Sequence, residues 1–523
     1  MRIIETDVLV VGSGIAGVAS ALKAARMGCE VLLTSKVSMK SGNSVFAGGG
    51  WLLPSRDFSP EDYFRVVMEG GKQINNSGLI RVIAHKGETT LRGLEQMGIP
   101  LEKRSKRVWD VSMGTSSKYA GIVIMDRLLE HAKDQQITTL PWTLIIELLL
   151  EEGRLSGALG FSRKEGMVII SAKSVVLATG GAGAIYKRTD NHRRITGDGY
   201  CLALRVGLPL KDMEFVQFYP IALAEPPLPP IVIQGIIPEE ARIIDSSGED
   251  LIKKHGLRFN LRESLMEYRD QFTLILTREL ERGAVYVDCR AVQEEKWNKY
   301  FLNILARLNP DFRYRPFSVA PVAHFFMGGI EIDQHARTEI PGIFAAGEVT
   351  SGVHGANREG GNALTEGLVF GEVAGESAAQ YAMANSRGKL IWQTPRDRIA
   401  WKDHAQEEKN LLRKVQDLTW THAGPIRDAR SLQKGLLGVS EIEQRLEDLE
   451  TMGRSIGLNE VRSGLLVSKA IMRASLERKE SRGAFYREDF PERDDANWLK
   501  NIILRLDSTR NDFIVSHRPV GTY

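Results

Sequence analysis

The chain has 523 residues, a nearly balanced formal net charge of +3 and three cysteines. That balance gives no general pull toward nucleic acid or anionic lipid, and Cys29, Cys201 and Cys289 form neither a CxxC nor a metal-ligand spacing, so no metal site, cluster or c-type haem of the chain's own is expected. The length exceeds what a single core organises, so two or three domains are expected. Met1 leads almost directly into an apolar strand, and no run reaches the ~18 apolar residues of a membrane span, so the expectation is a cytoplasmic protein without direct membrane insertion.

The first stretch is the most informative. An apolar run, Val8 to Val11, ends in Gly12-Ser-Gly14-Ile15-Ala16-Gly17, an Ala-rich helical pattern follows to Met27, and a second apolar run spans Val31 to Leu33. This is the βαβ dinucleotide fingerprint in its required context. Gly12 permits the tight turn, Gly14 lets backbone approach a pyrophosphate, Gly17 lets helix pack on strand, and the helix N-terminus offers free N–H groups to phosphate. The second strand ends Thr34-Ser35-Lys36 rather than in the acidic residue that would bind the ribose of NAD.

A glycine-rich loop follows, Lys40 to Trp51, with Gly48, Gly49 and Gly50 in succession. Residues 60–135 read as helices: one begins at Pro60, the others span Gly78 to Met97 and Gly121 to Ala132. Residues 137–180 read as strands ending in the small-residue run Ala178-Thr179-Gly180. From about 222 the texture changes. Pro226 to Pro230 reads as a rigid linker, and a charged segment with a helix near Asp270 to Arg282 reads as an inserted domain. The glycine-rich style returns at Pro341 to Glu348. Beyond about 395 the chain reads as charged helices at Leu411 to Leu418, Leu432 to Leu449 and Val461 to Lys479.

Several segments, in order along nearly the whole chain, resemble the FAD-dependent flavoprotein family of succinate dehydrogenase, fumarate reductase and L-aspartate oxidase. The carriers are Val10 to Gly17, Leu177 to Gly183, Thr196 to Gly199, Glu214 to Phe218, Ala323 to Ile330, Gly342 to Glu348, His354 to Asn362 and the tail Glu480 to Pro491. The resemblance implies an α/β fold, in which an FAD-binding Rossmann-type domain (1–221 and 319–390) is interrupted by an α+β capping domain (222–318) and followed by a helical C-terminal domain (391–523). It implies FAD as cofactor. Its contacts are expected at Gly12 to Gly17, Ser35, Lys36, Ser41, Gly42, Asn43, Ala47, Gly48, Gly49, Ala178, Thr179, Gly180, Asp198, Glu348, Asn362, Ala363 and Leu364.

The same resemblance makes His324 and Arg358 the pair that holds one substrate carboxylate beside the flavin. Arg269 becomes the residue that handles the proton at the substrate carbon, with Glu239 and Arg242 as its relay. Read from the local sequence, His324 fits a satisfied strand histidine as well, Arg358 a surface charge, and Glu239 with Arg242 an exposed polar patch. A guanidinium can grip a carboxylate with two parallel hydrogen bonds, which suits Arg358 to the first role.

Departures from the family concern the far end of the substrate. Asn43 stands where covalently flavinylated members carry the linking histidine, so FAD is expected to be non-covalent. Tyr219 and Pro238 replace a histidine and a threonine that contact the second carboxylate; tyrosine keeps one hydroxyl donor, and proline has neither hydroxyl nor N–H. Ile243 to Ser246 replaces a Gly-Glu-Gly motif. The expected function is an FAD-dependent oxidoreductase of the fumarate reductase/succinate dehydrogenase type with an altered second-carboxylate site. It would exchange electrons with a separate iron–sulfur subunit, possess no nucleic-acid function, and reach the membrane face only through a partner. L-aspartate oxidase is the alternative, and a flavin-binding scaffold or electron conduit without turnover is the alternative of another class.

Overall fold

The computed structural model describes residues 2–113, 119–224, 237–258, 260–266, 268–296, 306, 311–390 and 405–521. Its central sheet is built on the first strand, Arg2–Val11, whose segment Val8 to Val11 is flanked in parallel by Val31–Thr34 on one side and by Ser174 to Leu177 of Gly166–Leu177 on the other. Val8, Leu9 and Val10 are wholly buried, as a parallel strand covered on both faces requires. Thr138–Leu140 extends the sheet in parallel beyond Val31–Thr34, and an antiparallel meander, Thr143–Glu151, Arg154–Ser162 and Gly166–Leu177, forms the opposite side. Ile343–Ala345 joins the same sheet in parallel beside Val175 to Leu177, although more than a hundred residues intervene. The chain therefore leaves this sheet and returns to it, and all the parallel strands end on one side.

Helix Ile15–Arg26 lies against the long helix Asn362–Ala384. Side chains are absent where the two touch: a Cβ on Gly371 would fall 2.6 Å from the Ala16 carbonyl oxygen, and one on Gly375 2.3 Å from that of Ser20. Ser20 Oγ donates to the Gly371 carbonyl at 2.8 Å across this contact.

Between the two visits to the sheet the chain builds a second, antiparallel sheet in the order Val216–Leu223, Phe317–Phe326, Val285–Asp288, Arg242–Ile244. Helix Arg269–Arg282 packs on it through Phe272 and Leu276, and together they enclose a separate apolar core drawn from residues between Tyr219 and Val322. The two outer strands cross from one core to the other. Phe218, Ala323 and Phe326 belong to the main core, whereas Tyr219, Val319 and Val322 belong to the second.

Three helices follow, Ala405–Ala423, Ala429–Met452 and Ile456–Glu477, and they share the main core. The C-terminal part is not entirely helical: a hairpin of Lys500–Asp507 with Asp512–Pro519 closes the chain, and its first strand pairs with Leu210–Lys211. Its outer strand is largely solvent-facing, so it lacks the apolar pattern that announces a buried strand. Fully buried charges tie this part to the rest. Arg478 pairs with Glu214 at 2.7 Å and with Glu480 at 2.8 Å, and Arg482 pairs with Glu480 at 2.7 Å.

Two sequence expectations change in detail. The glycine-rich stretch after Lys40 is not a plain loop but contains a helical turn, Asn43–Phe46, and a strand, Gly50–Leu52, paired with Val108–Val111. The Pro226 to Pro230 linker lies outside the described residues. Among the described residues no helix is long and apolar enough to cross a membrane, and no group of His, Cys, Asp and Glu is arranged to hold a metal ion.

Candidate active site

The end of the first strand turns at Gly12, whose φ of +116° lies in the left-handed region and whose Cβ would collide with the Ala178 carbonyl oxygen. The turn delivers the N-terminus of helix Ile15–Arg26 to the sheet's C-terminal edge, where unpaired helix N–H groups favour an anion. Ser44 Oγ accepts from the Ile15 N–H at 3.0 Å, so the glycine-rich segment and the helix start face each other across this edge. Thr179 Oγ1 and Asn362 Nδ2, two of the expected cofactor contacts, are buried with no hydrogen-bond partner among the described residues. Buried polar atoms normally find a partner, and donors and acceptors left open along a cleft fit a polar, phosphate-bearing cofactor.

Asn43 sits at the centre of the next layer. Its Nδ2 donates to Asn191 Oδ1 at 2.7 Å, and its Oδ1 accepts from the His192 N–H at 2.9 Å. Its Nδ2 also lies 3.5 Å from Glu348 Oε2. Glu348 follows strand Ile343–Ala345, is enclosed, and accepts from the Phe326 N–H at 3.1 Å. Burial pushes its carboxyl up to about 7, against the opposing pull of the Phe326 and Gly181 N–H groups and of Arg358. Ser41 Oγ reaches His192 Nε2 at 2.9 Å. Lys36 is held as an ion pair by Asp198 at 2.5 Å and by Glu460 at 2.9 Å, so both Lys36 and Asp198 are engaged with protein.

The three residues expected to handle substrate come together. His324, on the strand Phe317–Phe326, meets Asp190 Oδ2 through Nδ1 at 2.6 Å and faces the Tyr219 ring with centroids 5.7 Å apart. Its Nε2 has no hydrogen-bond partner among the described residues. Arg358 is buried, and its guanidinium stacks on the ring of the neighbouring Phe325 at 4.7 Å. Burial first, and the adjacent Arg269 cation second, push Arg358 down to about 10. Arg269 opens the helix Arg269–Arg282, and its Nη2 donates to Asn357 Oδ1 at 3.0 Å and to the Arg358 carbonyl at 3.2 Å. The Nε atoms of both arginines are buried without a partner. Two guanidinium groups and an imidazole with open donors in one place make a strongly anion-selective pocket.

Glu239 and Arg242 are not joined to this cluster. Both are exposed; Glu239 lies in a turn closed by the Ala241 N–H on the Pro238 carbonyl, and Arg242 pairs with Asp250 at 3.2 Å. Asp250 at the same time caps the short helix Leu251–Lys254, which holds the Arg242 guanidinium away from Arg269. Asp190, Asn191, His192, Ser44, Gln217 and Asn357 were not among the expected site residues. Gln217 and Asn357 stand inside motif segments quoted above, but as polar residues without a diagnostic spacing they carried no chemical signal. Asp190 and Asn191 precede Thr196-Gly-Asp-Gly199 in a loop that only folding brings to the strand of His324.

Comparison with known proteins accords with this geometry. The FAD binding domain family matches residues 7–364, and the fumarate reductase flavoprotein C-terminal family matches residues 412–523. The chain is 34% identical to one subunit of the fumarate reductase (CoM/CoB) of Methanothermobacter marburgensis, over 96% of this chain and 97% of that protein. It is 31% identical to an L-aspartate oxidase of Streptomyces coelicolor, over 97% and 92% of the respective lengths. A solved E. coli quinol fumarate reductase chain superposes with a TM-score of 0.86 at 27% identity, covering 100% of this chain and 98% of the other.

Proposed function

Because the chain belongs to the FAD-binding flavoprotein family that includes fumarate reductase flavoprotein subunits and L-aspartate oxidase, we propose that it interconverts a saturated and an unsaturated carboxylic acid. FAD is the cofactor, and when bound it supplies a hydride acceptor or donor at its N5. The observation that carries the reading is the convergence of Arg358, Arg269 and His324, each with an open donor, at the edge of the cofactor cleft.

In this proposal Arg358 grips one carboxylate bidentately, and His324 Nε2 adds a third hydrogen bond to it. Together they fix the carbon–carbon bond at one distance and angle, which lowers the entropic part of the barrier. Arg269 delivers or removes the proton at the neighbouring carbon from its guanidinium, and the second core unit covers the site and keeps water out. Supporting this is the separate core between Tyr219 and Val322, which suits a division into an FAD-binding part (1–221 and 319–390), a cap (222–318) and a C-terminal part (391–523). Tyr219 lies beside His324 and takes the far end of the substrate. The exposed Glu239 and Arg242 serve as relay only if the cap moves relative to its present position. With Asn43 engaged by Asn191 and His192, FAD is held without a covalent link.

The relative named as a subunit supports an assembly in which a separate iron–sulfur subunit exchanges electrons with this one on the cytoplasmic face of the membrane. A second reading, aspartate oxidation, is favoured by the asparagine at position 43 and by the L-aspartate oxidase relative. The test is anaerobic. The flavin of the purified protein is reduced, and its reoxidation is followed with fumarate, other enoates and oxygen in turn. Fast reoxidation by an enoate supports the reductase reading. Reoxidation by oxygen alone, with turnover of aspartate, replaces it with the second, and silence toward every acid removes both.

A further inference from the structure

We propose that Asn357 is the positioning residue that presents Arg269 to the substrate, by holding Asp270 off it and by latching the helix that carries both to the FAD-binding part. The inference rests on the reading of Arg269 given above. Arg269 and Asp270 are the first two residues of helix Arg269–Arg282, and an aspartate beside an arginine at a helix start is a ready ion-pair partner. The pair does not close: the nearest approach, Arg269 Nε to Asp270 Oδ1, is 3.8 Å, and Arg269 Nε carries no hydrogen bond. Asp270 Oδ2 instead accepts a short hydrogen bond from Asn357 Nδ2.

The other end of the same amide holds the guanidinium. Asn357 Oδ1 accepts from Arg269 Nη2 at 3.0 Å and from Gln217 Nε2 at 2.7 Å. The Arg358 carbonyl accepts from the same two donors, at 3.2 Å and 3.0 Å. This network fixes the direction of the amide. Reversed, its NH2 would oppose two donors and its oxygen would oppose a carboxylate. One asparagine thus separates an adjacent cation and anion, taking the cation on its oxygen and the anion on its nitrogen. Gln217, on strand Val216–Leu223, braces it from behind. No other standard side chain of this size offers both a donor and an acceptor; leucine offers neither, and aspartate keeps the acceptor while placing a second carboxylate against Asp270. Without Asn357 the Asp270 carboxylate is released to pair with Arg269, and the bonds between helix start and loop are lost.

The test uses the FAD-loaded full chain with Asn357→Leu and, to keep the packing volume and shape, Asn357→Asp. Three quantities are measured: turnover with the best enoate, the dissociation constant of malonate from its perturbation of the flavin absorption, and amide hydrogen exchange of residues 269–282 against residues 362–384. The expected result is a fall in kcat of a hundredfold or more in both variants. Malonate affinity changes less than threefold, because Arg358 and His324 remain, and exchange accelerates in 269–282 but not in 362–384. Unchanged kcat overturns the proposal, as does a rise in KM with kcat kept, which would put Asn357 in carboxylate binding instead. Should the wild-type protein reduce no enoate, the functional reading fails while the latch stays testable. Exchange in 269–282 identical to wild type in both variants overturns the latch.

Discussion

Asp190 Oδ2 and His324 Nδ1 lie 2.6 Å apart, and this contact joins a loop of the FAD-binding part to the strand that carries the substrate-facing imidazole. The second Asp190 oxygen accepts from Asn191 Nδ2 at 3.0 Å, and the same Nδ2 donates to the His324 backbone carbonyl at 2.9 Å, so the carboxylate is fixed from both sides. With Nδ1 committed, only Nε2 is available to a ligand, and it is available as a donor. Asp190→Asn keeps the shape and removes the charge. A hydrogen bond to a charged group is worth about 1.5–3 kcal/mol, so kcat/KM for the best carboxylate substrate should fall roughly tenfold to a hundredfold, with FAD content unchanged. Steady-state kinetics beside an acid-released flavin measurement checks this. A fall in flavin content of the same size would mean that Asp190 serves the cofactor.

Arg358→Lys should separate carboxylate binding from flavin binding. The guanidinium lies flat on Phe325, and lysine keeps the charge but loses both the stacking and the bidentate grip. Substrate KM is expected to rise by at least about tenfold, one lost charged hydrogen bond, while the flavin spectrum is retained. The value near 10 for Arg358 gives a pH signature as well. The cation is present below about pH 10 and lost above it, so malonate affinity in the wild-type protein should stay high through neutral pH and decline as pH rises through 10. In Arg358→Lys the decline should move with the new side chain. Unchanged turnover in this variant would remove Arg358 from the site.

How much of this was legible in sequence depends on whether a residue's partner is local. The turn at Gly12, the strand Gly166–Leu177 and the helix starts carry their own signals. Ser59-Pro60-Glu-Asp62, for instance, spells out a capping box whose serine accepts from the Asp62 N–H while Asp62 accepts from the Ser59 N–H. His324, Arg358 and Arg269 were legible because they stand in long motifs. Asp190, Asn357 and Gln217 were not, because their partners lie far away in the chain and a lone polar residue announces no partner. The packing of Gly371 and Gly375 on the helix Ile15–Arg26 was readable only in part: four-residue spacing of glycines marks a close approach, but not what approaches.

Glu348 provides a stability test with a defined sign. Its carboxyl is raised from 4.5 to about 7 by burial, so in the window between those values the folded state binds more protons than the unfolded one. Stability from this group is therefore greatest at low pH and lost as pH rises toward and through 7. Glu348→Gln removes the dependence. In flavin-free protein the variant should gain up to about 3 kcal/mol over wild type on going from pH 5 to pH 8, following the rule of about 1.4 kcal/mol per pKa unit. Urea unfolding at the two pH values decides it; parallel pH profiles would show that Glu348 is not a buried acid in the folded state.

Substrate choice can be tested at the far end. Tyr219 lies against His324, and Pro238 begins the turn that leads to strand Arg242–Ile244. If these two set the group opposite the gripped carboxylate, then Tyr219→His with Pro238→Thr should shift the preference among enoates toward fumarate. One new charged hydrogen bond would improve kcat/KM by about tenfold or more relative to a monocarboxylic enoate. The ratio of the two kcat/KM values is the measurement, since it is insensitive to the active fraction of each preparation. An unchanged ratio would place the far end elsewhere.

Lys36 joins three parts of the molecule. It ends the second strand of the dinucleotide fold, pairs with Asp198 at 2.5 Å, and pairs with Glu460 at 2.9 Å on the C-terminal helix Ile456–Glu477. Arg194 reaches the same Glu460 carboxylate at 2.8 Å. Burial raises the Glu460 carboxyl, and the Lys36 cation opposes that rise. Lys36→Met would leave Asp198 and Glu460 facing each other with only Arg194 in compensation. Breaking a buried pair by removing one partner costs about 3–5 kcal/mol, well above the loss of a surface ion pair. Urea unfolding should show that loss. It should be smaller in Lys36→Met combined with Glu460→Gln, where no uncompensated charge remains on the helix. Equal losses in the single and double variants would mean that Lys36 acts through packing or cofactor contact rather than through Glu460.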